Sequence, residues 1–192
     1  MPYTLEEKYK LIKEEVLKHK EVNPIAIIND VMKNDYINMH GPEHHFLDGA
    51  SFLVAYNNAS NSIDINNALD KLKERSIKMP GAMCGYFGVC GSSTSIGAAL
   101  AIIHNTGPLS NNDFYKDNME YTSKVISIMA KIGGPRCCKR NAYISIINGV
   151  LFVKEKYNVD MKVDKPVCDF SKFNKDCIKE RCPFYKNNQN SI

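Results

Sequence analysis

Cysteine is the residue type of this chain best suited to catalysis or metal binding, and the seven cysteines fall into three groups. The first group, Cys84 and Cys90, lies in MCGYFGVCGSSTSIGAAL, where a helix is predicted to run from Ser92 to His104. Free backbone N–H groups and the positive end of a helix dipole lower the pKa of a thiol. We therefore predict Cys84 and Cys90 as catalytic thiols. The alternative is that both are small buried core residues.

The second group is the vicinal pair Cys137 and Cys138 in GGPRCCKRN. A Gly-Gly-Pro break precedes the pair, so a helix is expected to begin there, and basic residues flank it on both sides. Both features favour thiolates. A disulfide between adjacent residues would be strained, and so would act as a redox switch. Arg136 and Arg140 are predicted to bind an anionic substrate or to stabilise the charge of a cluster.

The third group is Cys168, Cys177 and Cys182 in CDFSKFNKDCIKERCPFY. A cysteine followed by proline is frequent at the last ligand of an iron–sulfur cluster. The spacing is not that of a ferredoxin, and it lacks the paired C-x2-C knuckles of zinc ribbons.

These three thiols need a fourth ligand, which we expect from Cys137 or Cys138. All five cysteines are therefore predicted metal ligands. A different division would give Cys84, Cys90 and the vicinal pair to one central site, and would leave the tail with three ligands.

The stretch HGPEHHF supplies candidate acid–base groups. We predict that His40, Glu43 and His44 move protons, because histidine titrates near neutral pH. His44 and His45 would point about 100° apart on a helix, so they are not expected to serve one ion. The alternative is a helix start capped by solvated imidazoles.

Helical periodicity dominates the rest of the chain, and the predicted fold is an all-α globule with an irregular, cysteine-rich C-terminal lobe. We predict a helical domain over residues 1–160 and a cysteine-rich segment over residues 161–192 that packs on it. Asn23-Pro24, Ser62 and Ser110 are predicted helix starts. Gly133 is predicted to end a helix whose inner face carries the residues Met119, Thr122, Ile126, Met129 and Ile132. The apolar run 142–153 suits a buried helix, although its β-branched residues leave a strand possible.

Composition narrows the classes of protein. No uninterrupted apolar run reaches the length of a membrane span, and the N-terminus has no signal-peptide pattern. We therefore expect a cytoplasmic protein without membrane association, in which thiols stay reduced. Residues 136–192 carry 12 basic and 6 acidic residues. That excess is small, and no nucleic-acid-binding motif accompanies it, so nucleic acid is not an expected partner.

Several stretches together resemble a family of small cysteine-rich proteins and C-terminal domains found mainly in anaerobic bacteria and methanogens. They include HGPEHHFLDGASFLVAYNN, MPGAMCGYFGVCGSSTSIGAALAII, IGGPRCCKRNAYISI and the NKDCIKERCPFY ending. The family is labelled a domain of unknown function. Some members carry a methyltransferase-like label, but this chain has no glycine-rich nucleotide loop. The layout of cysteines also looks similar to that of a family of small redox-active proteins.

The sequence therefore predicts an iron–sulfur or other metal–thiolate protein with a redox or sulfur-transfer role. Its partner would be a small anionic substrate or an electron-transfer protein. One alternative is a structural or binding module in which zinc fastens the C-terminal lobe to the helices. The other is a metal-free enzyme with a cysteine nucleophile and a histidine base.

Overall fold

The computed structural model describes residues 3–190, and in that range the chain forms eight α-helices and three short 3₁₀ turns. The helices are α1 (Leu5–Val16), α2 (Pro24–Val31), α3 (His44–Ser60), α4 (Ile65–Ser76), α5 (Met83–Tyr86), α6 (Gly91–Ile103), α7 (Asp113–Ile132) and α8 (Cys138–Tyr157). The 3₁₀ turns are Ser171–Phe173, Lys179–Arg181 and Lys186–Asn190. The all-α prediction is confirmed, and residues 142–153 lie inside α8 rather than in a strand. None of the described helices is both long enough and apolar enough to cross a membrane.

Helix α3 forms the centre of the fold. Every residue from His44 to Tyr56 is buried, because α1, α2, α4, α6 and α8 all pack around it. Small residues let the neighbouring helices come close. A Cβ atom added to Gly49 of α3 would lie 2.7 Å from the Ser95 hydroxyl of α6. One added to Gly149 of α8 would lie 3.0 Å from the Phe52 ring. These close crossings fix how α3, α6 and α8 pack against one another.

The structure confirms one of the three helix starts predicted from capping residues and contradicts the other two. Asn23 accepts a hydrogen bond from the amide of Ile25, with Pro24 as the first helical residue, as predicted. The prediction for Ser62 is wrong, because α4 is capped by Asp64, two residues later. The prediction for Ser110 is also wrong: its hydroxyl accepts from the amide of Gly107 instead of capping α7. In both cases the side chain stabilises the preceding loop.

The predicted inner face of α7 is only partly correct: Met129 is buried as predicted, and Thr122, Ile126 and Ile132 are half-buried. The helix buries Asp117, Tyr121, Val125 and Met129, whereas Met119 is 62% exposed. Two polar contacts fix this register. The Tyr121 hydroxyl donates to the Ser145 carbonyl at 2.7 Å, and Asp117 accepts from the Tyr157 hydroxyl at 3.0 Å. The hydrophobic pattern alone therefore predicts a face of α7 that is displaced from the buried one. The end of α7 at Gly133 agrees with the prediction, because this glycine has φ +77°.

The chain after α8 runs over the helices without long regular structure. The amide of Cys168 donates to the carbonyl of Phe184 at 2.8 Å, which joins the two ends of this segment. Phe184 is buried and its ring contacts Tyr143 of α8 edge-on, with 5.2 Å between centroids. The segment therefore packs against the face of α8 that starts next to Cys137.

Candidate functional site in two cysteine-lined cavities

Four cysteines from distant parts of the chain line one small cavity, the closed thiol cavity. They are Cys137, Cys168, Cys177 and Cys182, and the cavity volume is about 20 Å³. Most of the remaining wall is apolar and comes from Met39, Tyr143, Ile178, Phe184 and Tyr185, with Ser171, Asn174 and Arg140 at its edges. The structure thus brings the three tail cysteines together with one member of the vicinal pair.

Local hydrogen bonds position three of these four cysteines. Cys137 is the extended residue before α8, and its sulfur accepts from the amide of Arg140 at 3.5 Å. The sulfur of Cys177 accepts from the amide of Lys179 at 3.4 Å. Cys182 is only 7% exposed, and its carbonyl accepts from the side chain of Asn188. The cavity therefore rests on one helix start and on a loop that closes over it.

Burial disfavours negative charge on these thiols. It raises the pKa of Cys168 to about 11 and also raises the pKa of Cys182. The neighbouring thiols of the same cavity raise both pKa values further. A bound cation reverses this effect, because a coordinated thiol is deprotonated.

The vicinal cysteines face different cavities. Cys137 lines the closed thiol cavity, whereas Cys138, the first residue of α8, lines a separate cleft with Cys84 and Cys90. All seven cysteines are free thiols. The expectation of Cys138 as a ligand beside the tail cysteines is therefore not met. The alternative four-cysteine site is not formed either, because Cys137 does not line the cleft.

The second cavity, the open cleft, consists of two adjoining spaces of about 690 and 280 Å³. Both spaces are lined by Ala82, Cys84, Cys90, Arg136 and Asn141. The smaller space also contacts the first residues of α3, α6 and α8. The cleft therefore brings together two of the thiol-bearing helix starts that the sequence singled out.

The thiols of the open cleft differ from the prediction in their ionisation. Cys90 precedes α6, and its sulfur accepts from the side-chain amide of Asn141 at 3.2 Å. Burial nevertheless raises its pKa, and burial raises the pKa of Cys138 to about 12. The expected lowering is wrong at these two positions because loss of hydration outweighs the hydrogen bonds and the helix dipole.

His40 joins the open cleft to the C-terminal segment. Its Nδ1 accepts from the amide of Cys138 at 3.5 Å, and its Nε2 lies 3.3 Å from Oδ1 of Asn174. An acceptor at one nitrogen and a donor at the other define a neutral imidazole. Burial accordingly lowers the pKa of His40. This histidine caps α8 and positions Asn174 at the edge of the closed thiol cavity.

His44 belongs to a buried polar chain. Its Nδ1 donates to Asp48 at 3.0 Å, and its Nε2 accepts from Lys139 Nζ at 3.2 Å. All three residues are at most 1% exposed. Burial lowers the pKa of Lys139 to about 8, while Asp48 opposes that shift. The chain therefore places the imidazole of His44 between a buried basic and a buried acidic side chain.

Glu43 does not belong to the cleft. It is 1% exposed, and Oε1 accepts from the amide of Asn38 at 2.7 Å and from Lys8 Nζ at 3.4 Å. The carboxylate also folds over Gly41 so closely that a Cβ atom there would overlap it. The predicted acid–base role for Glu43 is therefore not supported by its position, which instead fixes the loop before α3.

Two further residues of the cleft were not predicted. His45 lies against Gly91, where an added Cβ atom would be 2.3 Å from its Nε2, and its Nδ1 has no hydrogen-bond partner among the described residues. Asn141 connects Cys90 to Arg140, whose Nε donates to the Asn141 oxygen at 3.4 Å. The available signal was that His45 is the last residue of HGPEHH and that Asn141 directly follows PRCCKR. Arg140 lines both cavities and also donates to the carbonyls of Gly133 and Pro135.

The fold and its cavities define an all-α protein with two cysteine-lined sites at helix starts. The chain belongs to the family described as Family of unknown function (DUF5714), whose profile matches residues 12–185. No curated protein and no solved structure matches the chain. Within residues 3–190, no three His, Cys, Asp or Glu side chains are grouped closely enough to hold a single metal ion.

Proposed function

We propose that this protein is a metal–thiolate protein whose closed thiol cavity binds an iron–sulfur cluster through Cys137, Cys168, Cys177 and Cys182. One observation supports the proposal: four thiols, separated by up to 45 residues, line the same apolar cavity. Among the described residues they are too far apart to hold one ion, so binding would require the surrounding loops to close. Soft thiolates select iron–sulfur clusters, zinc or Cu(I). Core packing alone gives no reason for four thiols to share one wall.

The surroundings of the cavity suit an anionic cluster. Arg140 is buried at its edge and supplies positive charge beside the thiols. Met39, Tyr143 and Phe184 supply an apolar shell, which controls solvent access and reduction potential. Cys182 is followed by Pro183, as is frequent at the last ligand of a cluster.

The proposed role is redox or sulfur transfer, because the open cleft lies beside the metal site. Arg140 lines both cavities, and its neighbour Asn141 contacts Cys90 in the cleft. A ligand in the cleft would therefore be one arginine away from the cluster. The partner is then a small anionic substrate or an electron-transfer protein.

The test is analysis of the full chain purified without oxygen. We expect a brown protein with about four iron and four sulfide per chain, and an electron paramagnetic resonance signal after reduction by dithionite. The vicinal pair offers a matched control. Cys137→Ser should lose the iron, whereas Cys138→Ser should keep it. Iron retained by Cys137→Ser, or lost equally from both variants, contradicts the ligand set.

Zinc is the second candidate, and the size of the cavity favours it. A space of about 20 Å³ holds roughly one water-sized particle, so a single ion requires less movement of the loops than a cluster does. The four thiols also connect the irregular tail to the start of α8, as a structural zinc site would. A colourless protein with about one zinc per chain supports this candidate and contradicts the cluster.

A further inference from the structure

The loop that joins α4 to α6 includes the short helix α5 and carries Cys84, and little of it is packed. None of the described residues from 77 to 90 belongs to the buried core. The side chains of Tyr86 and Phe87 are 81% and 66% exposed. At the three glycines of this loop, no described atom lies within 4 Å of an added Cβ atom. The loop can therefore change conformation without breaking contacts inside the core.

Cys90, at the end of the same loop, is held in place. Its side chain packs against the hydrophobic core. Its carbonyl accepts from the amide of Thr94 at 3.1 Å, and from the hydroxyls of Ser93 and Thr94 at 2.8 and 2.9 Å. Its sulfur accepts from the side-chain amide of Asn141 at 3.2 Å. The loop thus connects one fixed thiol to one thiol that can move.

Both thiols border the same space. Cys84 and Cys90 line the larger and the smaller space of the open cleft, whereas Cys138 lines only the smaller one. The exposed side chain of Arg136 lines both spaces too, so small molecules can enter from solvent. A disulfide needs the two Cα atoms within roughly 4.4–6.8 Å of each other. Its formation would therefore hold the loop close to the start of α6.

We propose that Cys84 and Cys90 form a reversible disulfide, and that its formation closes the loop over the open cleft. The oxidant is a hydroperoxide such as hydrogen peroxide. The Cys84 thiolate attacks one peroxide oxygen and the O–O bond breaks, which gives a sulfenic acid and one water. The Cys90 sulfur then attacks the sulfenic sulfur, the S–O bond breaks, and the hydroxyl leaves with the Cys90 proton as a second water. The two thiols lose two electrons, and the peroxide gains them.

Burial sets the order in which the two thiols react. It raises the pKa of Cys90, so this thiol is protonated and reacts slowly with peroxide. Cys84 lies on the unpacked loop and is oxidised first. A dithiol reductant reverses the reaction by thiol–disulfide exchange. The couple needs no metal in the closed thiol cavity, so it goes beyond the proposed metal centre and can stand or fail without it.

The test is oxidation of the full chain, purified without oxygen and fully reduced, by one equivalent of hydrogen peroxide. The remaining thiols are alkylated with iodoacetamide, and tryptic fragments are analysed by mass spectrometry without reductant. The fragment of residues 79–116 contains Cys84 and Cys90 and none of the other five cysteines. We expect this fragment to lack two hydrogens and to take up no iodoacetamide. Dithiothreitol should restore alkylation at both positions.

Two variants test the pairing. Cys84→Ser should abolish the disulfide of this fragment, whereas Cys138→Ser removes the third thiol of the smaller space and should leave it unchanged. A cross-link from Cys84 to Cys138 overturns the proposal, and so does irreversible oxidation of Cys84 while Cys90 is still alkylated. Iron and zinc are measured in the same sample before oxidation. A disulfide without metal supports this proposal alone, and metal without the disulfide contradicts it alone.

Closure of the loop has its own reporter. The chain has no tryptophan, so Phe87→Trp places a single one at an exposed position of the loop. Peroxide should decrease the quenching of its fluorescence by acrylamide, and dithiothreitol should reverse that change. The same reporter combined with Cys84→Ser should not respond to peroxide. Quenching that stays constant while the disulfide forms overturns the closure.

Discussion

The two cysteine-lined regions of this molecule differ in almost every physical respect. The closed thiol cavity is small, has mostly apolar walls and is lined by four thiols. The open cleft is far larger, and its thiols lie among histidines, arginines and helix starts. The first geometry suits ligands that need several thiolates at once. The second suits a polar ligand that enters from solvent.

Two adjacent residues, Cys137 and Cys138, contribute to these two different cavities. Cys137 is extended, with φ −144°, and Cys138 begins α8, so the backbone turns between them. One thiol therefore reaches each cavity. In the sequence, Cys137 and Cys138 look like one reactive pair. In the structure, each lines a different cavity.

The largest expected effect is a difference in stability between a cysteine variant in the closed thiol cavity and one in the open cleft. If the closed thiol cavity binds the proposed metal, Cys168→Ser should release it. The free energy of unfolding should then fall by more than about 4 kcal/mol, the contribution of a ligand at a thousand times its Kd. Cys84→Ser, in the open cleft, should change neither metal content nor unfolding by more than about 0.5 kcal/mol. Elemental analysis and thermal unfolding measure both. Equal effects of the two variants would remove the distinction between the cavities.

The second effect concerns the buried chain behind the cleft. Asp48→Asn leaves Lys139 without its counter-charge in a site at most 1% exposed, and should cost about 3 kcal/mol in urea unfolding. The double variant Asp48→Asn with Lys139→Met removes both charges. It should be less destabilised than the sum of the two single variants. An additive double variant would show that the two groups do not interact through His44.

A third and smaller effect tests the packing at the start of α6. Gly91→Ala places a Cβ atom 2.2 Å from the His45 ring, and should cost about 1–3 kcal/mol and displace that imidazole. Gly85→Ala is the matched control, because nothing lies within 4 Å of an added Cβ atom there. Chemical denaturation compares the two. A neutral Gly91→Ala variant would mean that His45 is not held against the helix start.

Much of the fold could be predicted because it depends on local signals. Asn23-Pro24 and Gly133 mark helix ends through backbone geometry that neighbouring residues fix. The full inner face of α7 could not be predicted, because buried hydrogen bonds of Tyr121 and Asp117 to α8 override its hydrophobic pattern. The candidate site also has a part that the sequence could predict and a part that depends on tertiary contacts. The tail cysteines with Cys137 were within reach of the sequence, whereas the roles of Glu43, His45 and Asn141 depend on contacts made only after folding.

The smallest expected effect concerns His40, which joins the two regions through the amide of Cys138 and the side chain of Asn174. Burial lowers its pKa in the folded protein, and burial also lowers the pKa of His45 and of His104. The unfolded chain therefore binds more protons than the folded chain below the unfolded pKa of about 6.5. The contribution of these histidines should be largest well above this pH and should fall as pH decreases from 7 to 5.5. Each unit of pKa difference limits the loss to about 1.4 kcal/mol.

Urea unfolding across this pH range measures how steeply stability falls with pH. The variant His40→Gln should make this slope smaller while leaving the contributions of the other two histidines. A slope unchanged by this substitution, or stability that rises toward pH 5.5, would show that His40 is not held neutral between the two cavities.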